Sequence, residues 1–214
     1  MLVLAVDTST PAVTAGLVEL DASGHRVVAS RLTVDARAHA ELLTPHVMEC
    51  FAESGLRPAD LGAVVVGTGP GPFTGLRVGM ATAAAFADAL GVPVHGVCSL
   101  DAIAREVGAD RELLVVTDAR RREVYWARYR NGERIEGPAV DKPSVLDIGS
   151  AAVVAGSPSH VDLFDLPVEP VESPSPRALV SVAADALLSG AEPEALVPLY
   201  LRRPDAVEQA ARAR

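Results

Sequence analysis

The stretch best suited to chemistry runs from Ala63 to Gly91, AVVVGTGPGPFTGLRVGMATAAAFADALG. Residues 63–66 are apolar and β-branched, the pattern of a fully buried strand. Gly67-Thr68-Gly69-Pro70-Gly71-Pro72 then reads as a tight turn, since glycine reaches φ values other residues avoid and proline fixes its own. Thr74 is placed to cap a helix over 76–90, which Gly91 and Pro93 close. A strand, a glycine-rich turn and a helix start together can hold a phosphate or another anion. Two specific versions of that site are excluded. A P-loop requires lysine within its motif, and the chain's one lysine is Lys142. The dinucleotide fingerprint requires glycine at 72 or 74 and finds Pro72 and Thr74. The stretch therefore reads either as an anion loop without those motifs or as a rigid turn carrying a close-packed helix.

Carboxylates and imidazoles supply the other candidates. Asp7 and Asp118 each stand just beyond the first strand of a similar hairpin. Asp7 reads equally as a cap of its own turn and as a ligand group. His39 and His46 lie seven residues apart, too far for the i, i+4 metal pair, and read as helix-surface or interface residues. Cys50 and Cys98 form no disulfide framework and no metal-pair spacing, which points to a reduced cytoplasmic setting.

These residues need elements to position them. With 214 residues and 49% hydrophobic content the chain can bury a sizeable core, in which Ala and Val stand in for scarce aromatics. Residues 2–6, 12–20 and 25–34 read as three strands of an antiparallel meander. A helix over 35–51 follows, with an apolar stripe at Leu42, Leu43, Val47 and Phe51; Pro45 must kink it or mark its first turn. After the 63–91 unit comes a strand at 92–97. The second half restarts with strands at 113–117 and 124–129, a hairpin signal at Asn131-Gly132, a strand at 153–155 and a helix over 177–188. The two halves join near 100–112, giving domains 1–104 and 105–214, with the tail after about 198 returning to the first. Net charge is −9, so a broad basic nucleic-acid footprint is absent. Arg120-Arg121-Arg122 and Arg202-Arg203 read as solvated loop arginines, and any nucleic acid would have to be attracted mainly by a partner. No apolar run spans a bilayer, and residues 1–6 are too short for a signal peptide.

A duplicated strand-strand-strand-helix-strand-helix unit with an aspartate after its first strand resembles the α/β fold of actin, Hsp70 and the sugar kinases (ASKHA, ribonuclease H-like), in which nucleotide binds between two related domains. Val6-Asp7-Thr8-Ser9-Thr10, His39-Ala40-Glu41-Leu42-Leu43-Thr44-Pro45 and the block from Gly69 to Gly79, GPGPFTGLRVG, narrow this. With Thr117-Asp118-Ala119-Arg120 and Pro198-Leu199-Tyr200-Leu201-Arg202, they resemble the TsaB (YeaZ) family from end to end. The resemblance implies a non-catalytic partner of a TsaD-type transferase that makes threonylcarbamoyladenosine at the tRNA adenosine beside the anticodon. In the catalytic paralogue a histidine pair follows a Gly-Val; here Gly96-Val97 leads to Ser99 and Ile103 at those places, so no metal site is expected. Asp7, Thr8, Ser9 and Asp118 imply at most weak or vestigial nucleotide binding, with no cofactor of its own and ATP or ADP at most shared with partners. His39, Leu42, Leu43, Val47, Phe51, Leu76, Arg77, Met80 and Ala84 are the implied interface, on helices 36–53 and 75–90 that would pack on equivalent helices of the transferase. A TsaE-type ATPase, and tRNA reached indirectly, are further implied partners, and the free subunit is left open between monomer and homodimer. The alternatives are a stand-alone actin-like small-molecule kinase or ATPase and, more weakly, a metallopeptidase.

Overall fold

The computed structural model describes residues 1–202; Arg203 of the second basic cluster and the rest of the tail lie outside the described residues. Three strands, β1 (Leu2–Asp7), β2 (Ala12–Asp21) and β3 (Gly24–Val34), form the expected meander. Helix α1 (His39–Ser54), strand β4 (Leu61–Gly67), helix α2 (Phe73–Leu90) and strand β5 (Val94–Val97) complete the first unit. Its sheet runs β3-β2-β1-β4-β5, with β4 parallel to both β1 and β5. After helix α3 (Ser99–Val107), strands β6 (Leu113–Asp118), β7 (Val124–Arg130), β8 (Glu133–Asp141) and β9 (Val153–Gly156) repeat that order as β8-β7-β6-β9. Short helix α4 (Pro158–Val161) and helix α5 (Pro176–Ser189) follow. This is the duplicated actin-like α/β fold; among the described residues the second unit has only a 3-10 turn (Pro143–Val145) between β8 and β9, and in place of a fifth strand a single parallel bridge of Val168 with Val154. Among the described residues no helix is long and apolar enough to cross a membrane.

Strand alternation sorts the core into layers. Leu4 and Val6 face α1 and α2, packing with Leu43, Val47, Phe51, Met80 and Ala83. Val3 and Ala5 face the other way, onto Leu179, Val180 and Ala183 of α5. On the second sheet, Leu113, Val115 and Tyr129 meet Leu100 and Ile103 of α3, while Leu114, Val116 and Trp126 are covered by Val161 and Phe164.

Several sequence expectations change. The segment read as a plain join at 100–112 contains α3, whose apolar face covers the second sheet. The late helix α5 instead covers the first sheet, and α3, which covers the second, straddles the 104/105 boundary. α1 starts at His39, because Asp35 closes a turn by accepting the Arg37 N–H at 2.9 Å. Pro45 lies inside α1 on its exposed side, where the carbonyl it leaves unbonded can face water. Thr74 is not the cap of α2: Pro72 occupies that position in extended geometry, and Phe73 is already helical. The hairpin at Asn131-Gly132 has φ of 52° and 77°, the positive pair that a tight β-hairpin turn requires.

Candidate functional site

β1 and β6 end at the same level, and the turns after them face one another across a cleft of about 390 Å³. Ser9, Thr10, Thr74, Gly75 and Val78 line it from the first unit; Thr117, Asp118, Arg120 and Ser157 line it from the second.

Asp7 does not line this cleft. It is fully buried, and its carboxylate accepts from the Ser9 N–H (2.8 Å), the Ser9 hydroxyl (2.7 Å) and the Ser99 hydroxyl (2.6 Å). Burial pushes its carboxyl above the usual carboxylate range, while the hydrogen bonds from Ser99 and Ser9 pull the other way. Asp7 thus caps its own turn and ties it to the start of α3. Thr8 is equally enclosed, its hydroxyl donating to the Gly75 carbonyl at 2.7 Å. Ser9 is buried but borders the cleft, with its hydroxyl committed to Asp7.

The glycines of the central stretch serve this packing. A Cβ on Gly75 would stand 2.5 Å from the Thr8 carbonyl oxygen, one on Gly71 2.3 Å from that of Ser9, and one on Gly79 2.4 Å from Thr8 Oγ1. These close approaches are what a rigid turn carrying a close-packed helix requires, while Thr74 and Gly75 border the cleft.

Asp118 is the more accessible carboxylate, with its side chain 28% exposed. It accepts from the Arg120 N–H at 2.7 Å and lies 3.6 Å from His160 Nε2. Arg120, Arg121 and Arg122 have φ of 63°, 52° and 63°, so three arginines adopt the left-handed conformation that glycines usually supply. Beside them the Thr117 hydroxyl is buried at the cleft wall without a hydrogen-bond partner. Ser157 and His160 were not singled out in the sequence; Ser157 Oγ lies 3.1 Å from His160 Nδ1. A serine and histidine three apart carry no distinctive sequence signal.

The interface residues divide sharply. Leu43, Val47 and Phe51 are buried against the sheet, and Leu76 and Met80 are buried beneath α2, so none of these five can be an exposed anchor in this conformation. The apolar stripe faces the chain's own core because a two-layer α/β unit must first cover its sheet. His39 is buried too, with Nε2 donating to the Thr10 carbonyl at 2.8 Å. His46 instead meets Thr33 Oγ1 at 3.0 Å, so the two imidazoles serve separate contacts. Leu42 and Ala84 are half-buried, and Arg77 is exposed. Outward-facing residues that the sequence did not indicate are Met48 (49% exposed) and Phe73 (50% exposed). Ala40, Thr44, Met48 and Ala52 share one helical face at i, i+4 spacing, and the signal that could have found them is the complement of the buried stripe.

Comparison with known proteins agrees with this architecture. Residues 28–199 match the family described as TsaD: tRNA N6-adenosine threonylcarbamoyltransferase. An uncharacterized protein of Mycobacterium leprae is 59% identical over 206 residues, 96% of this chain, which spans 56% of that protein's length. The tRNA threonylcarbamoyladenosine biosynthesis protein TsaB of Escherichia coli is 34% identical over 155 residues, covering 68% of this chain and 64% of that protein. YeaZ from Pseudomonas aeruginosa superposes with a TM-score of 0.78 at 29% identity, over 94% of this chain and 100% of the other. Family match, relatives and superposition converge: the chain belongs to the TsaD family of tRNA N6-adenosine threonylcarbamoyltransferases and, within it, to the TsaB/YeaZ type.

Proposed function

We propose that this protein takes part in making threonylcarbamoyladenosine in tRNA as a non-catalytic subunit that binds and activates a TsaD-type transferase. The observation that carries this reading is the outer face of α1 and α2. The two helices lie side by side on the first sheet, and they turn outward Ala40, Thr44, Met48 and Ala52 from α1 with Ala81 and Ala85 from α2. Small residues in a row let a second pair of helices approach closely, and Met48 adds an adaptable apolar contact. The site itself favours a partner role over turnover. Asp7 is enclosed and spent on three donors, which argues against the stand-alone kinase or ATPase. The metallopeptidase reading needs a histidine pair, and Ser99 and Ile103 stand where it would be. The subunit has no cofactor of its own, ATP or ADP is at most weakly held or shared with partners, a TsaE-type ATPase joins the assembly, and tRNA is reached through the transferase.

The test is co-elution of this protein with its TsaD-type paralogue, comparing wild type with Met48→Asp, Ala81→Asp. Two carboxylates placed in an apolar interface should split the complex while the free subunit melts as before. A wild-type protein that does not co-elute, or a variant that stays bound, would overturn the reading.

A further inference from the structure

A cluster joins the start of α2 to the last described residues of the chain. Phe73 and Tyr200 stack with ring centroids 5.2 Å apart and an interplanar angle of 22°. The Arg77 guanidinium sits 3.9 Å over the Phe73 ring, and its Nε donates to the Tyr200 hydroxyl at 2.9 Å. Both rings stay open to solvent, Phe73 at 50% and Tyr200 at 40% exposure. Tyr200 is nevertheless held in place. Leu196 packs on the first core, the Leu199 N–H donates to the Thr68 carbonyl at 2.9 Å, and Arg202 grips the second unit through the Ala119 carbonyl (2.6 Å) and Glu123 (2.7 Å). The segment 196–202 is therefore a strap fastened to both units, with Tyr200 displayed between its anchors.

We infer that this strap is part of the docking face, and that Phe73, Tyr200 and Arg77 form its anchor for a carboxylate-bearing helix of the transferase subunit. The inference rests on the partner-subunit reading above. Stacked aromatics with an arginine are the residue types in which binding energy concentrates, and holding them in place beforehand lowers the ordering cost of association. Charge decides the occupant's chemistry. Arg77 is the only Lys or Arg in α1 or α2, and among the described residues its two Nη amines have no hydrogen-bond or ion-pair partner. Of the acids in α1 and α2, Glu49 and Glu53 are held by Arg31, and among the described residues neither Glu41 nor Asp88 pairs with Arg77. An incoming carboxylate would take the forked pair of donors, while an apolar neighbour covers the rings. Since Phe73 and Arg77 continue the α2 face that carries Ala81 and Ala85, one helix can span both patches.

The experiment measures affinity for the purified TsaD-type subunit with wild type, Tyr200→Ala, Tyr200→Phe, Arg77→Met and the Met48→Asp, Ala81→Asp variant, each across a range of salt. Tyr200→Ala and Arg77→Met should each weaken binding about tenfold or more at unchanged melting temperature. Tyr200→Phe, which keeps the ring, should cost only a few-fold. Wild-type affinity should fall with added salt, and Arg77→Met should flatten that dependence. Tyr200→Ala and Arg77→Met within twofold of wild type, beside a Met48→Asp, Ala81→Asp variant that no longer binds, would overturn this inference and leave the proposed function standing. Loss of a homodimer by the Tyr200 and Arg77 variants with partner affinity unchanged would assign the strap to a second copy and overturn it too. A wild type that binds no TsaD-type subunit would overturn both readings.

Discussion

Replacing Asp7 separates a structural carboxylate from a chemical one. Asp7→Ala would strip the acceptor from the Ser9 N–H, the Ser9 hydroxyl and the Ser99 hydroxyl, all enclosed within 2.8 Å of it. A buried donor left unmet costs about 1–3 kcal/mol, and hydroxyls recover part of that by turning elsewhere, so we expect a loss of about 3 kcal/mol. For a chain of this size that is about 6–12 °C in melting temperature. Asp7→Asn keeps the size and an acceptor oxygen and should hold the fold. The pH dependence has a definite sign. Burial raises the carboxyl's folded-state pKa, so its contribution to stability is fully present at acid pH and is lost as pH rises through that raised value. The Asp7→Asn variant has no charge to bury, so its stability relative to wild type should improve as pH rises from acid toward neutral. Urea titrations of the three proteins at several pH values read all of this, and co-elution with the partner reads function. Two results would refute the reasoning: Asp7→Ala losing less than about 1 kcal/mol, or Asp7→Asn losing complex formation at wild-type stability.

Gly67→Ala should be among the most damaging single changes, since its Cβ would stand 1.7 Å from Asp7 Oδ2 and 2.6 Å from Ser99 Oγ; a melting curve close to wild type would contradict the geometry. Val47→Asp and Met48→Asp should behave oppositely despite adjacency. The first puts an unpaired charge into a fully buried site and should unfold the first unit, whereas the second should leave circular dichroism unchanged. Leu43→Ala should cost about 2–5 kcal/mol in urea unfolding, as a buried leucine facing the sheet. Burial pushes the Cys50 thiol up to about 11 and the Cys98 thiol up to about 12, so both should resist alkylation at pH 8 until denaturant is added; fast labelling of the native protein would contradict their placement.

Much was legible in one dimension because it depends on local rules. The meander of β1 to β3 follows from short turns between β-branched runs, and the β7–β8 hairpin from Asn131-Gly132. The absence of a P-loop or a dinucleotide fingerprint followed from residue types alone. The family-specific block from Gly69 to Gly79 was also visible, and its Gly71, Gly75 and Gly79 proved to be there for close approach to Thr8 and Ser9.

Other features depend on which surfaces meet, and a periodic pattern cannot state that. A helical apolar stripe at Leu43, Val47 and Phe51 identifies a buried face, but only the sheet beneath α1 shows that the burial is internal and that Met48 is left outside. Asp7 and Asp118 looked equivalent by position; Ser99, distant in sequence, turned one into an enclosed cap while the other stayed at the cleft. The exchange of α3 and α5 between the two sheets has no local signature, because each helix would suit either. Phe73, Arg77 and Tyr200 are ordinary residues until the strap brings positions 123 apart within hydrogen-bond distance. The sequence by itself determined most of the elements, α3 excepted, their order and the chemistry they exclude. Tertiary packing alone decided which surface each apolar face meets, since burial belongs to pairs of surfaces rather than to either one.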